Sequence, residues 1–512
     1  MMAAARRHAG ILLSRLLPGV PAGMDREIRG ITADSRQVAP GTVFFARRGL
    51  TVDGASFIDD ALRAGAAGVV REGEPGARLL AGEVPEITVA DVANALGLAA
   101  HRFFGEPSAE LRLTGVTGPN GKTSVSHFIA QALSARATNG NPAAGIIGTL
   151  GYGPAGKLEP GVLTTPDVTD LHRLLAEMRS AGLREIVMEV SSHALSQGRV
   201  AGIRFDTAVF TNLSRDHLDF HGSMADYGAA KEQLFHTPGL EHAVINVKDE
   251  FGRRLLGNLA GIPDVVAYTT GGAEVEDFGR KIRIIRGKLL VADADGLELE
   301  ASTGSESGTL RVPLLGRFTA DNLLAAMGAL MASGIPFVEA IELLRGISPV
   351  PGRMQPFDHR QEEPLVVVDY SHTPEALDSA LRSLREHCVG RLWCVFGCGG
   401  DRDPGKRSQM GAVADALADV VVLTDDNPRG EDGDAIVDAI VEGIERLKLE
   451  KGNLIIERDR AAAIANAIRR AEAGDVILVA GKGHETYQET RGVRRPFSDA
   501  AAVRNALEAR RT

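Results

Sequence analysis

The sequence predicts a three-domain α/β protein built on mainly parallel sheets, and three observations carry that reading. Apolar strand-like runs alternate with helical patterns along the chain, the order that builds a parallel sheet covered by helices. Many of those runs end in polar, glycine-rich loops, and 59 glycines are available for the corners. The length of 512 residues exceeds what one core supports, at roughly 150 residues per domain. With 44% apolar and 24% charged residues, the composition is that of a soluble globular chain. A formal charge of −10 argues against a general nucleic-acid binder, so an anionic substrate needs a local basic pocket. Cys388, Cys394 and Cys398 lack a second ligand pair, so neither a disulfide framework nor a zinc site is expected and a reducing cytoplasm fits. Arg15 interrupts the apolar run after Gly10, and no apolar stretch approaches about 18 residues; the N-terminus reads as a first helix, with no membrane span.

Residues 1–107 form the first expected domain. Residues 41–46 read as a strand and 57–64 as a helix. Asp34-Ser35-Arg36 lies between two strands, where a polar-ligand site and an ordinary surface turn are both consistent with the spacing. The segment 105–107 reads as a linker.

The second domain, 108–347, opens on Leu113-Thr114-Gly115-Val116-Thr117-Gly118-Pro119-Asn120-Gly121-Lys122-Thr123-Ser124. This is a strand running into a glycine loop and then into a helix over 124–135. Backbone N–H groups of such a loop turn toward an anion, and the helix N-terminus adds partial positive charge. Lys122 then neutralises phosphate oxygens while Thr123 offers a hydroxyl to Mg²⁺. Val116 stands where the longer Walker form has its first glycine, so the match is to Gly-x-x-Gly-Lys-Thr. Strands over 185–190 and 207–212 end in Ser191-Ser192-His193 and Asp216-His217-Leu218-Asp219, at the sheet edge where the loop lies. Glu189 and His217 have the chemistry of ligands for Mg²⁺ ions beside a phosphate, the plainer alternatives being a surface carboxylate and a hydrogen-bonded histidine. Residues 268–312 read as an antiparallel excursion of short strands and turns, and residues 316–322 as the cap of a helix over 323–332.

The third domain, 348–512, is the most regular. Strand runs end in Asp369-Tyr370-Ser371-His372, Gly397-Cys398-Gly399-Gly400-Asp401-Arg402, Asp425-Asp426-Asn427-Pro428-Arg429 and Gly481-Lys482-Gly483-His484-Glu485. This is the doubly wound layout, in which such ends line one crevice. Arg402 and Arg429 suit a carboxylate, whereas Asp426 and Glu485 suit an ammonium. A site offering both signs suits an amino acid.

Several long motifs occur in one order: Glu189-Val190-Ser191-Ser192-His193-Ala194-Leu195, Asn212-Leu213-Ser214-Arg215-Asp216-His217-Leu218-Asp219, Asp369-Tyr370-Ser371-His372-Thr373-Pro374 and Asp426-Asn427-Pro428-Arg429. In these the chain closely resembles the Mur ligases of bacterial peptidoglycan synthesis, over nearly its whole length from Asp34 to Glu485. The resemblance implies a cytoplasmic, monomeric, ATP-dependent ligase that releases ADP and phosphate and serves cell shape and division. It implies an N-terminal α/β domain for a uridine diphosphate, a central P-loop ATPase domain and a C-terminal Rossmann-like domain for an incoming amino acid. Within the family the chain looks like the members that add meso-2,6-diaminopimelate to UDP-N-acetylmuramoyl-L-alanyl-D-glutamate.

Carried over by motif, the resemblance gives Ser35 to the uridine nucleotide, and Thr164, Thr165, Ser191, Gln197 and Arg199 to the muramoyl-dipeptide. Gly118, Pro119, Asn120, Gly121, Lys122, Thr123 and Ser124, with Asn322, Arg353 and His372, serve ATP. Lys122, Glu189, His217 and Lys231 form the catalytic set, and Thr123, Glu189, His217 and Lys231 the metal set. Lys231 matches the lysine that is carbamylated in the family; read by itself it is a solvated helix lysine. Carbamylation turns a cation into an anionic oxygen ligand. Arg402, Asp426, Asn427, Pro428, Arg429, Gly481 and Glu485 receive the amino acid. Arg429 is the informative one, since its fork pairs the second carboxylate of diaminopimelate and repels the ammonium of lysine.

The implied reaction activates the D-glutamate side-chain carboxylate as an acyl phosphate, which the amine then attacks. No covalent protein nucleophile is required. Three residues depart from the common family pattern: Pro119 for threonine, Thr319 for asparagine and Gln355 for an acidic residue. Competing readings are a lysine-adding Mur ligase, disfavoured by Arg429; a folylpolyglutamate synthetase-like ligase, not expected to carry the first domain or Asp426-Asn427-Pro428-Arg429; and a non-catalytic nucleotide-binding scaffold, disfavoured by intact Lys122, Glu189, His217 and Lys231.

Overall fold

The structure is a computed structural model that describes residues 10–49, 52–136, 144–259, 261–272, 281–357, 360, 362–445 and 453–511. It forms two compact units. The first comprises Met1–Ala267, Val275–Ile282 and Gly328–Gly334; the second comprises Tyr268–Glu274, Arg283–Met327 and Ile335–Thr512.

The first unit carries two sheets. The N-terminal sheet contains β1 (Gly30–Thr32), β2 (Thr42–Ala46), β3 (Gly68–Glu72), β4 (Gly76–Leu79) and β5 (Pro85–Val89), in the order β1-β2-β3-β5-β4. All pairs are parallel except β4 with β5. Val43 and Phe45 face Leu96 and Ala99 of the helix Val92–Phe103, whose start is capped by Asp91 accepting from the Asn94 N–H. The helix expected over 57–64 is Ile58–Arg63, entered through a 3₁₀ turn at Gly54–Phe57, because Asp53 accepts from the Ala55 N–H and starts the coil early. Near the N-terminus Ile11–Leu12 pairs with Glu27–Ile28 before a single helical turn, Leu13–Leu16. The part of the expected first helix before residue 10 lies outside the described residues.

The central sheet contains β6 (Arg112–Thr117), β7 (Ala144–Gly148), β8 (Gly151–Pro154), β9 (Glu185–Glu189), β10 (Thr207–Phe210), β11 (His242–Asn246) and β12 (Asp264–Thr269). Their order is β8-β7-β9-β6-β10-β11-β12. β8 folds back on β7 as an antiparallel edge, whereas β7, β9, β6, β10 and β11 pair in parallel. Leu113 to Thr117 are buried, as a strand covered on both faces requires. Because β9 and β10 flank β6, the loops leaving these three strands are neighbours at one carboxyl edge. The helix Val92–Phe103 meets the turn that precedes β10 where Gly97 lies so near Ala201 that a Cβ would fall 2.4 Å from that residue's Cβ.

In the second unit β13 (Ile282–Asp293), β14 (Gly296–Thr303) and β15 (Glu306–Val312) form an antiparallel meander. The strands are longer than the short ones expected: Leu297, Leu299 and Ala301 are buried in alternation, and that one-sided pattern sustains the ladder. Residues 273–280 of the expected excursion lie outside the described residues. The helix expected over 323–332 begins earlier, at Phe318, so Thr319 and Asn322 sit inside it and do not cap it. Gly316 at φ 86° turns the chain, and the Thr319 hydroxyl donates to the Leu315 carbonyl at 2.7 Å, which satisfies the first turn locally.

The C-terminal sheet contains β16 (Gln355–Pro356), β17 (Leu365–Asp369), β18 (Leu392–Phe396), β19 (Val420–Leu423), β20 (Leu454–Ile456) and β21 (Val476–Ala480), in the order β16-β17-β21-β18-β19-β20. Only β16 runs antiparallel. Successive residues face opposite cores: Val367, Cys394 and Leu478 pack with helices Pro374–Arg385, Gly405–Leu417 and Gly433–Val441. Val366, Trp393 and Ile477 pack with helices Arg460–Arg470 and Asp499–Arg511. Arg460 and Asp499, both fully buried, join those last helices at 2.6 Å, and Arg460 also donates to the Ala480 carbonyl at 2.8 Å. This fixes the chain where it leaves β21 for Gly481.

Candidate active site

The loop after β6 is held from its neighbour β10. The Thr211 hydroxyl donates to the Asn120 carbonyl at 2.6 Å and the Asn212 amide donates to it at 3.0 Å. Gly118, at φ 144°, leaves no room for a side chain: a Cβ would stand 1.9 Å from Thr211 Oγ1. Gly121, in the left-handed region at φ 87°, turns the chain into the helix Lys122–Ala135, which starts two residues earlier than expected. Lys122 Nζ lies over its own loop, donating to the Gly118 carbonyl at 2.7 Å and the Pro119 carbonyl at 3.0 Å. The ammonium is therefore held against the loop itself.

Glu189 ends β9 fully buried. Its Oε2 accepts from the hydroxyls of Thr123 at 2.9 Å and Thr149 at 3.0 Å, and its Oε1 from the Thr149 N–H at 2.8 Å. Thr149 follows β7 and was not singled out from the sequence; no motif marked it. Its hydroxyl also lies 3.1 Å from Thr164 Oγ1. Thr165 donates to the Glu189 carbonyl at 2.8 Å, and its hydroxyl accepts from the Ser191 N–H at 3.1 Å. Ser191 caps the helix Ser192–Ser196, while Arg199 forks onto the Gln197 side chain at 2.9 and 2.6 Å and donates to the Thr165 carbonyl at 3.1 Å. The residues expected to hold the muramoyl-dipeptide are thus one hydrogen-bonded group beside Glu189. Ser35 opens a 3₁₀ turn capped by Asp34, whose carboxylate also pairs with Arg36 at 2.8 Å.

His217, at φ 52°, lies edge-on to His193 with ring centres 4.7 Å apart, and its Nε2 is 3.4 Å from Asp216. Among the described residues no group of three or more His, Cys, Asp or Glu is placed to hold a metal ion, so Glu189 and His217 do not make a ligand cluster by themselves. Lys231 is not the solvated lysine its helix suggested. It is 1% exposed, with Nζ 4.2 Å from the centre of the Tyr227 ring. Burial, with the Lys122 charge adding to it and Asp216 opposing, holds its amine well below the ordinary lysine range.

In the second unit, Asp426 and Asn427 leave β19 buried. Burial raises the Asp426 carboxyl, against the pull of Arg460 and Lys482. Its Oδ2 approaches Gly481, where a Cβ would fall 2.6 Å away at φ 112°. Lys482, missed in the sequence although its lysine within Gly481-Lys482-Gly483 was a signal, is fully buried. It donates to Asn427 Oδ1 at 3.0 Å and to Glu485 Oε2 at 2.8 Å, and Asn427 Nδ2 donates to the same Glu485 oxygen at 2.8 Å. Burial raises Glu485, but Lys482 and Asn427 more than reverse this and its carboxyl lies below the usual range. Arg429, half-buried at φ 53°, donates to the Gly400 carbonyl at 2.7 Å, while Arg402 is exposed. Gly400 packs directly on Pro428, whose carbonyl would stand 1.9 Å from a Cβ there.

Arg353 stacks 4.7 Å from the centre of the Tyr370 ring, whose other neighbours are His372 at 4.6 Å and His484 at 5.1 Å. His372 Nδ1 donates to the Tyr370 carbonyl at 2.8 Å, leaving Nε2 without the proton in the neutral ring. Burial and the Arg353 charge push His484 down to about 4, so it is neutral. Asn322 is buried on the helix Phe318–Ala332. Gln355, where the resemblance implies an acidic residue, still supplies an acceptor, since its Oε1 takes the Gly352 N–H at 2.9 Å.

A phosphate loop opening a parallel-sheet domain, joined in one chain to a doubly wound domain whose strand ends carry both charges, defines an ATP-dependent ligase. The chain belongs to the Mur ligase family: the family's catalytic domain matches residues 27–104, its middle domain 116–330 and its glutamate ligase domain 352–483. The UDP-N-acetylmuramoyl-L-alanyl-D-glutamate--2,6-diaminopimelate ligase of Xanthomonas campestris is 47% identical over 495 residues, 97% of each chain. That of Pseudomonas aeruginosa is 48% identical over 497 residues, 97% of this chain and 98% of the other. A solved structure of a ligase of that name superposes with a TM-score of 0.73 at 33% identity, covering 98% of this chain and all of the other. A Mycobacterium tuberculosis folylpolyglutamate synthase complexed with ADP and AMPPCP matches 75% of this chain at 18% identity and a TM-score of 0.56, a likeness of fold alone.

Proposed function

We propose that the chain joins meso-2,6-diaminopimelate to the D-glutamate carboxylate of UDP-N-acetylmuramoyl-L-alanyl-D-glutamate, converting ATP to ADP and phosphate, as a monomer in the cytoplasm. The observation that carries the reading is the loop Asp426-Asn427-Pro428-Arg429, where a buried acid and a half-buried guanidinium leave one strand end together. That pairing suits a zwitterion with an additional carboxylate. The relatives named for this substrate pair, matched over nearly their whole length, support it. Residues 1–107 are then the uridine-nucleotide domain, 108–347 the ATP domain and 348–512 the amino-acid domain.

In this reading the loop N–H groups, Lys122 and the helix N-terminus hold the transferring phosphoryl group, with Asn322, Arg353 and His372 serving the rest of the nucleotide. Ser35 meets the uridine end, and Thr164, Thr165, Ser191, Gln197 and Arg199 hold the dipeptide so that its carboxylate attacks the γ-phosphate. The amine, its carboxylates on Arg402 and Arg429 and its ammonium end facing Asp426 and Glu485, then displaces phosphate from the acyl phosphate. Positioning and electrostatics supply the rate.

The residues present fit a divalent cation. Glu189 is a buried side chain whose hydrogen-bond donors Thr123 and Thr149 are neutral, so its oxygens face no cation in those hydrogen bonds. Thr123, Glu189, His217 and carbamylated Lys231 would hold Mg²⁺, which supplies positive charge to the phosphoryl oxygens. Lys231 suits carbamylation because only a neutral amine attacks CO₂, and burial holds this amine well below the ordinary lysine range, which favours that form. In ¹³C-bicarbonate, a carbamate carbon resonance present in the parent and absent from Lys231→Ala is the expected result; its absence from both removes the modification.

The deciding assay is phosphate release from ATP and UDP-muramoyl-dipeptide with meso-diaminopimelate or L-lysine. Stimulation by diaminopimelate over lysine is expected. Stimulation by neither ends the ligase reading, and a preference for lysine ends only the specificity.

A further inference from the structure

We infer that the Arg407–Glu431 ion pair is a positioning device that sets the two amino-acid-binding arginines, Arg402 and Arg429, and with them the selectivity for a second carboxylate. The inference rests on the reading above that those arginines receive diaminopimelate.

The two arginines stand on separate loops, one leaving β18 and one leaving β19. Neither loop is regular structure, and each needs left-handed backbone at a non-glycine residue: Asp401 at φ 52° and Arg429 at φ 53°. Such conformations persist only where the surroundings fix them. Arg407, 5% exposed on the helix Gly405–Leu417, donates from its Nη2 nitrogen to both oxygens of Glu431 at 2.9 Å each. Glu431 follows Arg429 by two residues, and its Oε1 also accepts the Asp401 N–H. Asp401 returns the contact, accepting the Gly430 N–H at 3.0 Å. Each loop thus bonds the other beside a strained residue, and Arg407 ties both to a helix.

The fit between the loops leaves little slack. Gly400 abuts the Pro428 carbonyl, and a Cβ on Gly399 would stand 2.8 Å from Arg429 Nη1. A shift of Glu431 therefore moves the Arg429 guanidinium relative to Arg402. The same Nη2 nitrogen also lies 3.5 Å from the Gly399 carbonyl, so one end of a single guanidinium touches both loops and their spacing depends on it. The pair itself need not touch substrate; its role is to hold the spacing that matches two carboxylates on one amino acid.

The test is steady-state kinetics of the full chain carrying Glu431→Gln, Arg407→Lys, both together, or Arg429→Ala. For the first two, KM for diaminopimelate is expected to rise about tenfold or more, with the preference over lysine reduced. KM for ATP and for UDP-muramoyl-dipeptide should stay within about twofold. The double variant should cost little more than either single, since each breaks the same ion pair. If Arg407→Lys does not fold, the isosteric Glu431→Gln decides alone. Unchanged KM and preference in these variants, or a fall in kcat that leaves preference untouched, overturns the inference provided Arg429→Ala raises KM for diaminopimelate. If Arg429→Ala does not, the reading beneath it fails instead.

Discussion

Thr123 gives its hydroxyl hydrogen to Glu189 across 2.9 Å, joining the first turn of the helix after the phosphate loop to the end of the neighbouring strand. With Thr149 donating to both carboxylate oxygens, Glu189 accepts on every side the protein presents. Glu189→Gln keeps the shape but has one acceptor oxygen, so its NH₂ must face a donor. Turnover should fall by roughly 10²–10³-fold. Denaturant unfolding should show a loss of about 1–3 kcal/mol from the mispaired buried donor. A variant with parental turnover would remove Glu189 from the chemistry.

Lys482 is the buried cation that joins Asn427 to Glu485, two residues of the proposed amino-acid site. Removing it in Lys482→Met leaves the half-buried Glu485 carboxylate without its cation, with only the neutral Asn427 amide still donating to it. The expected cost is about 3 kcal/mol of stability, the order found when one member of a buried pair is lost. Binding of diaminopimelate by calorimetry should weaken, whereas ADP binding should not. Equal losses for both ligands would make Lys482 a general scaffold residue.

The strand-loop-helix order at Thr117 to Thr123, and the polar ends of β17, β18, β19 and β21, were legible because each is a local pattern of apolar run followed by glycine and charge. Lys231 was not. Its helix, Met224–Glu232, buries Tyr227, Gly228, Ala230 and Lys231, and that face is set by contacts distant in sequence: a Cβ on Gly228 would fall 2.4 Å from the Phe251 ring. Family resemblance singled the residue out; helical periodicity did not. Thr149 escaped for a similar reason, since its role exists only once β7 lies beside β9. Likewise Thr319 and Asn322 looked like capping residues, and the turn at Gly316 placed the true helix start ahead of them.

His172 predicts the acid limb of stability. It is fully buried on the helix Val168–Ser180, and since a carbonyl only accepts, its Nε2–H must donate to Ala201 at 3.0 Å. Among the described residues its buried Nδ1 has no hydrogen-bond partner. Burial pushes the ring from 6.5 down to about 4, so it is neutral in the folded chain. The unfolded chain takes up a proton there below pH 6.5 and the folded chain only near pH 4, so stability is full above 6.5 and declines as pH falls between the two. The slope should reach about 1.4 kcal/mol per pH unit. Thermal melts of His172→Gln should show a flatter decline over that window, and an unchanged decline would assign it to other groups.

Gly118→Ala tests whether the cradle depends on a missing side chain. At φ 144° the backbone is strained for alanine, and the new Cβ would meet Thr211 Oγ1 at 1.9 Å. Thr211 is the residue that pins the Asn120 carbonyl, so the clash either displaces that hydroxyl or opens the loop. The two costs separate in a cycle with Thr211→Ala. That second change removes the clash and leaves the backbone strain, so the double variant should recover part of the nucleotide affinity lost in Gly118→Ala, with a coupling of about 0.5–3 kcal/mol. Calorimetric titration with ADP reads this directly, and the single variant should bind about tenfold more weakly or worse. Additive losses would mean that the loop yields elsewhere and Thr211 is a bystander. Parental affinity in Gly118→Ala would mean that the N–H groups of this loop do not need the geometry that only glycine permits.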